Sequence, residues 1–433
     1  MLTPTSRLVC LSLLATLLVA PPAPSADTPT FPLKDGDVWV FAGDSITAQK
    51  QHTNYFEAFC YARYPNIKFT FRNSGVGGHT LPSTMARFDY DIAAWKPTVV
   101  SVELGMNDKG GFTTDKYIEN MGKMTEKIRG IKARPVYFTA SAVNNGETMS
   151  RLAGNARLNE YAIALKKFAE KEKAPFADQF HDLIDIWGKN TALLNLVNNA
   201  RAVVSRDSDV AGIEHLRAFL QAQEKAGMKP VSLLGDPVHP GQPGQLTMAA
   251  ALLKDLGAEG FVSSAVIDLA GKKGETRGCV IENLKTSDDT VSFDRLDDCL
   301  PFPIPDEARP ALSLFPVILD LSRYTLRVEG LKGDRYELKI NDKPVVTLTA
   351  KELSEGVNLT AFPKGPIADH GKEILAAVAA KEVLVEQFRN KSKQVGGDVE
   401  KLTKEAARVE EADAKIRTAA KPRKLHFELR SVK

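Results

Sequence analysis

Cysteine is scarce in this chain: four among 433 residues, at positions 10, 60, 279 and 299. No Cys/His cluster has zinc-ligand spacing, so no structural zinc site is expected. An excess of charge of one sign is lacking too. Lys and Arg number 57 against 54 Asp and Glu, a net charge of +3. That balance calls for neither nucleic acid nor an anionic membrane as partner. Beyond residue 26 no apolar run approaches the ~20 residues of a membrane-spanning helix, and no internal repeat is visible. What is there is ordinary globular composition, 43% hydrophobic and 26% charged, as in soluble proteins. The length exceeds one compact core and implies two or three units of roughly 100–200 residues.

The N-terminus stands apart. Arg7 precedes an apolar run from Leu8 to Ala20, and a Pro/Ala/Ser stretch from Pro21 to Ala26 follows. Positive charge, short apolar segment and small residues, in that order, read as a secretory signal over residues 1–26. The alternative is an uncleaved anchor. The expectation is export, periplasmic or secreted, with no stable membrane insertion once the signal is cut near Ser25 or Ala26. Export permits disulfides. Cys10 leaves with the signal, and Cys60 lies in a helical pattern and reads as buried. Cys279 and Cys299 flank a β-like segment and are either paired or free.

From Asp37 to about Leu256, short apolar runs alternate with helical patterns. The runs are Val38–Phe41, Ile67–Phe71, Val99–Leu104, Val136–Thr139 and Phe176–Ala177. Helix-like stretches cover Thr53–Tyr64, Asp115–Ile131 and Ala153–Lys171. Alternation of this kind implies a parallel sheet with helices on both faces. Ligands then bind beyond the carboxyl ends of the strands. The helical stretch 186–229 breaks the rhythm; it is either an insertion over the site or plain packing. After about Val266 the period changes to two, in Tyr324–Val328, Tyr336–Ile340 and Leu425–Val432. This suggests a small antiparallel β module over 266–433. Within it, 366–419 reads as a helical hairpin split at Gly396-Gly397, its charges on a solvated face.

Four segments carry chemistry. Gly43-Asp44-Ser45 follows the first strand and presents a hydroxyl at a strand-to-helix turn. Gly75-Val76-Gly77-Gly78-His79 follows the second, where glycine lets backbone approach a substrate. Gly105-Met106-Asn107-Asp108 follows the third and offers a neutral amide donor suited to an oxyanion. Asp236-Pro237-Val238-His239 has the spacing for a carboxylate to orient an imidazole. Read singly, each is also a helix cap, a tight turn or a surface loop. Together and in this order they closely resemble the SGNH (GDSL-type) hydrolase family, over about Asp37 to Leu256.

That resemblance implies a flavodoxin-like three-layer α/β/α sandwich over 35–265. It makes Ser45 the nucleophile and His239 the base, oriented by Asp236. The oxyanion hole would comprise Ser45, Gly78 (or its neighbour Gly77) and Asn107. The chain departs from the pattern at Gly244-Gln245, where many members have Gly-His. Asp44 reads as holding the turn, and His52 and His79 as surface or supporting residues. No metal or organic cofactor is required. The reaction implied is ester hydrolysis through an acyl-enzyme, on a small-molecule or carbohydrate ester, with O-acetyl groups on carbohydrate favoured. A lipid acyl hydrolase and a non-catalytic binding protein that keeps the fold are the alternatives. The β module is either a buttress or a carbohydrate platform, and the hairpin a possible assembly element. Oligomeric state is open.

Overall fold

A computed structural model describes residues 30–143, 154–206, 213–225, 236–271, 273–287 and 289–432. The expected signal segment, 1–26, lies outside the described residues. Five parallel strands form the first sheet: β1 (Asp37–Gly43), β2 (Phe69–Gly75), β3 (Val99–Glu103), β4 (Arg134–Phe138) and β5 (Phe176–Ala177), in the order β2-β1-β3-β4-β5. This is the flavodoxin-like order, and it reverses direction between β1 and β3.

Every residue of β3 is buried, and so are most of β1 and β2. A strand covered on both faces has no polar side, so its residues alternate between two apolar layers. Trp39, Phe41, Phe71, Val99 and Phe138 join one layer, with helices α2 (Gln51–Arg63) and α9 (Gln242–Asp255). Val40, Ala42, Val100, Val102 and Tyr137 join the other, with α5 (Thr114–Gly130) and α6 (Ala156–Glu172). Two short helices, α3 (Leu81–Ala86) and α4 (Phe88–Asp91), extend that second layer, while α1 (Ser45–Ala48) caps the end of β1. The long α7 (Gln179–Ser205) and α8 (Ile213–Lys225) occupy the helical stretch read around 186–229, of which 207–212 and 226–229 lie outside the described residues.

Beyond α9 the chain builds more sheet than its period suggests. The strands are β6 (Phe261–Asp268), β7 (Lys273–Arg277), β8 (Cys279–Thr286), β9 (Thr290–Asp297), β10 (Arg323–Glu329), β11 (Arg335–Ile340), β12 (Lys343–Thr349), β13 (Val357–Asn358) and β14 (Leu425–Val432). They form two sheets, β13-β10-β6-β7 and β12-β11-β14-β9-β8. The expected module was wholly antiparallel; instead β6 and β10 run parallel. β6 spans the expected boundary at 265. Val262, Leu326 and Val328 of one sheet pack with Phe293, Leu338 and Phe427 of the other. The β11–β12 turn is Asn341-Asp342, both at positive φ (48° and 62°), the geometry of a two-residue hairpin loop. Short helices α10 (Val317–Asp320) and α11 (Ala350–Glu355) complete this part. Cys60, Cys279 and Cys299 are all free thiols.

The helical hairpin, α12 (Pro366–Gln394) and α13 (Thr403–Ala419), lies not on these sheets alone but against the first sheet's outer strand. β2 is an edge strand and would expose unpaired carbonyls. Lys381 Nζ donates to Phe71 O (2.9 Å) and Arg389 Nη1 to Gly75 O (2.7 Å). Lys381 is fully buried and pairs with Glu57 (2.8 Å) and Glu382, and Arg72 grips Asp413 in a two-point bond (2.7 and 3.1 Å). The charges read as a solvated face are therefore partly interior. A buried charge is tolerated only when paired, and each of these is.

Candidate active site

The chain's local geometry delivers the nucleophile candidate. Asp44 caps α1, its Oδ1 accepting from the Ile46 N–H (3.0 Å), and thereby turns the chain sharply after β1. Its carboxyl is buried and pushed up to about 7, mainly by burial, with Glu103 and Asp108 adding repulsion against the relief of the Ile46 bond. Ser45 opens the helix. The end of β2 packs on that helix so closely that a Cβ at Gly75 would meet Ala48 N at 2.3 Å. Arg87 locks the same corner, donating to Ser74 Oγ (2.6 Å), Gly43 O (3.2 Å) and Asp91.

The base candidate arrives from 194 residues downstream. Asp236 Oδ1 accepts the N–H groups of Val238 and His239, both at 2.8 Å, while its Oδ2 lies 2.8 Å from His239 Nδ1. The His239 N–H, and then its imidazole, hold that carboxyl below the usual range. His239 Nε2 lies 2.8 Å from Ser45 Oγ. With Asp236 on Nδ1, the ring proton is assigned there, and the Nε2 lone pair faces the hydroxyl. A carboxylate, an imidazole and a hydroxyl are thus in one line. That arrangement can lower the barrier to attack by the hydroxyl on an electrophilic carbonyl.

The donor candidates surround the same corner. Gly77 and Gly78 are exposed, and a Cβ on Gly77 would lie 3.8 Å from Ser45 Cβ. Gly78 holds φ +76°, a conformation that a side chain would strain. Asn107 Nδ2 donates to His79 O (3.0 Å) and lies 3.5 Å from Asp44 Oδ2. One amide N–H of Asn107 is thus committed to the glycine loop, and the other is held weakly.

Several residues that shape the site were not singled out by pattern. Glu103 is the one charged residue in the Val99–Leu104 run, a signal that a buried partner awaits it. That partner is His52, expected at the surface or in support, and found with no exposure at all. His52 Nε2 lies 2.7 Å from Glu103 Oε2, and Nδ1 2.7 Å from Gln245 Oε1. His79 accepts at Nδ1 from Arg87 Nε (3.1 Å); partial burial and that guanidinium hold its pKa down. Arg389, from α12, had no sequence signal. Among the described residues no group of three or more His, Cys, Asp and Glu gathers as metal ligands.

Residues 41–246 match the model of the GDSL-like lipase/acylhydrolase family. That segment is a GDSL-like lipase/acylhydrolase domain. The chain is accordingly a hydrolase of ester bonds. The chain is 21% identical over 252 residues to an acetylxylan esterase of Geobacillus stearothermophilus, covering 52% of this chain and 95% of that one. A solved gut microbial diltiazem-metabolizing enzyme superposes with a TM-score of 0.71 at 22% identity, covering 94% of this chain and 99% of that one. This second likeness concerns the fold, and it extends beyond the GDSL-like domain to the C-terminal sheets and hairpin.

Proposed function

We propose that the protein is an exported serine esterase that cleaves short acyl groups, such as O-acetyl groups on carbohydrate, through an acyl-enzyme. Ser45 attacks the ester carbonyl while His239 takes its proton and later returns it to the leaving alkoxide. Asp236 keeps the imidazole in the required tautomer and stabilises its charged form. The negative oxygen formed on the carbonyl is received by the N–H groups of Ser45 and Gly78 and by the second amide N–H of Asn107. Water attacks the acyl-serine in the second half of the cycle, with His239 again as base.

The observation that carries this reading is the unbroken relay Asp236–His239–Ser45, with both steps at 2.8 Å. The acetylxylan esterase likeness supports the acyl and carbohydrate parts. Arg7 and the Leu8–Ala20 run support export.

The test is hydrolysis of p-nitrophenyl esters of increasing acyl length by the purified chain and by Ser45→Ala. The expected outcome is preference for acetate and loss of at least ~10⁴-fold in the variant, as when a triad member is removed. Undiminished turnover by Ser45→Ala overturns the nucleophile; preference for long acyl chains overturns the substrate class.

A further inference from the structure

Beneath the nucleophile turn lies a buried polar cluster that the relay does not use. Glu103 ends β3 and is 4% exposed. Its Oε1 accepts from Gln179 Nε2 (2.9 Å), and its Oε2 meets His52 Nε2 (2.7 Å) and Thr47 Oγ1 (3.3 Å). On the far side of the imidazole, Gln245 Oε1 receives both the His52 backbone N–H (3.1 Å) and Nδ1 (2.7 Å). Gln245 Nε2 then donates to Gln49 Oε1 (2.7 Å) and to Pro240 O (3.3 Å).

The donors and acceptors leave little freedom. The backbone N–H of His52 fixes the Gln245 amide with its oxygen toward the ring. Nδ1 therefore carries a proton. Nε2 faces a carboxylate, so the pair is an imidazolium with Glu103, buried and hydrogen-bonded at every ring nitrogen. Burial opposes the charge on the ring; Glu103 from β3, by its charge and its hydrogen bond, the Gln245 amide and, least, Asp44 from the turn after β1 together outweigh it.

The cluster touches both halves of the relay. Thr47 and Gln49 belong to the turn that carries Ser45. Pro240 directly follows His239. We propose that His52 and Gln245 are positioning residues for ester hydrolysis: they tie the base loop, through the Pro240 carbonyl, to the Glu103-anchored nucleophile turn and so set the Ser45–His239 separation. This rests on the esterase reading above. It also gives a use to Gln245, the position where the chain departs from the Gly-His pattern.

The experiment compares wild type with His52→Gln, Gln245→Met and the double variant on p-nitrophenyl acetate, with labelling at Ser45 by a fluorophosphonate to count competent sites. The expected result is a kcat fall of about tenfold in each single variant, since small misplacements near a reacting group are costly. KM stays within about twofold, labelling remains stoichiometric, and the double variant loses no more than the worse single one, as for one shared tether. In wild type, proton NMR shows two downfield ring N–H signals from His52, both lost in His52→Gln.

The proposal is overturned by a kcat within about twofold of wild type in both singles, or by losses that multiply in the double variant. It is equally overturned by a fall in kcat that matches the fall in labelled sites, which is a merely structural role. If His52→Gln does not fold, Gln245→Met decides, because it leaves the ion pair in place. Wild type that neither turns over nor labels overturns the esterase reading itself; active wild type with fully active variants overturns only this inference.

Discussion

The two halves of the relay are built differently. Ser45 hangs from a turn whose neighbours Asp44, Ile46 and Thr47 are all buried, between two strand ends and an arginine clamp. His239 sits on a loop, and the Asp236 side chain that orients it is 54% exposed. Ser45 is positioned by the sheet. His239 is positioned by hydrogen bonds within four residues, plus whatever ties that loop to the core. A sheet-held group keeps its geometry through packing, whereas a loop-held group depends on a few named bonds, each within reach of water.

That contrast can be broken or sharpened. The largest effect is expected on the sheet-held side. Asn107→Ala should cut kcat by ~10²–10³ with unchanged circular dichroism, the usual loss for one oxyanion donor; an unchanged rate removes Asn107 from the oxyanion hole. Asp236→Ala should cost roughly 10², short of the ~10⁴ found where the orienting carboxylate is buried, because water can replace an exposed partner. A loss of the full ~10⁴ in kcat would mean that the loop is as tightly held as the turn.

Arg389 offers a smaller test from outside the GDSL-like domain. Its bond to Gly75 O steadies the glycine loop from α12. Arg389→Met should lower stability by about 1–2 kcal/mol in urea melts and kcat a few-fold, with Arg389→Lys restoring part. Full activity and stability would make the hairpin's hold on this loop irrelevant.

The last test concerns pH. The Asp44 carboxyl, ordinarily near 3.8, is raised to about 7 by burial. A raised carboxyl contributes stability at low pH, and that stability is lost as pH rises through about 7. Between about pH 5 and about pH 8, wild type should lose on the order of 2–3 kcal/mol that Asp44→Asn does not. Parallel urea midpoints for the two proteins would put Asp44's environment in the same class as the exposed Asp236.

Much of the first half was legible in the chain. The five strands overlap the apolar runs, because a strand covered on both faces is mostly apolar; Arg72 and Glu103 are buried exceptions held by Asp413 and His52. The four chemical segments lie at strand ends or loops, and the relay geometry matches the spacing of Asp236 and His239. His52 was read as a surface or supporting residue, and its helix alone could not decide between the two. Its burial is explained by Glu103, 51 residues away, and by Gln245, 193 residues away, which meet its two ring nitrogens. The hairpin's charges misled for a related reason. Lys381 and Asp413 look solvated until Glu57 and Arg72 meet them across more than 300 residues.

By itself, then, the sequence determined which residues are chemically able to act and which stretches form a parallel sheet, because strand burial and motif order are local patterns. Only the tertiary structure decided which charges are buried, which edge α12 covers and how the base loop is tied down. Those are long-range pairings between residues that carry no mark of each other until the chain folds.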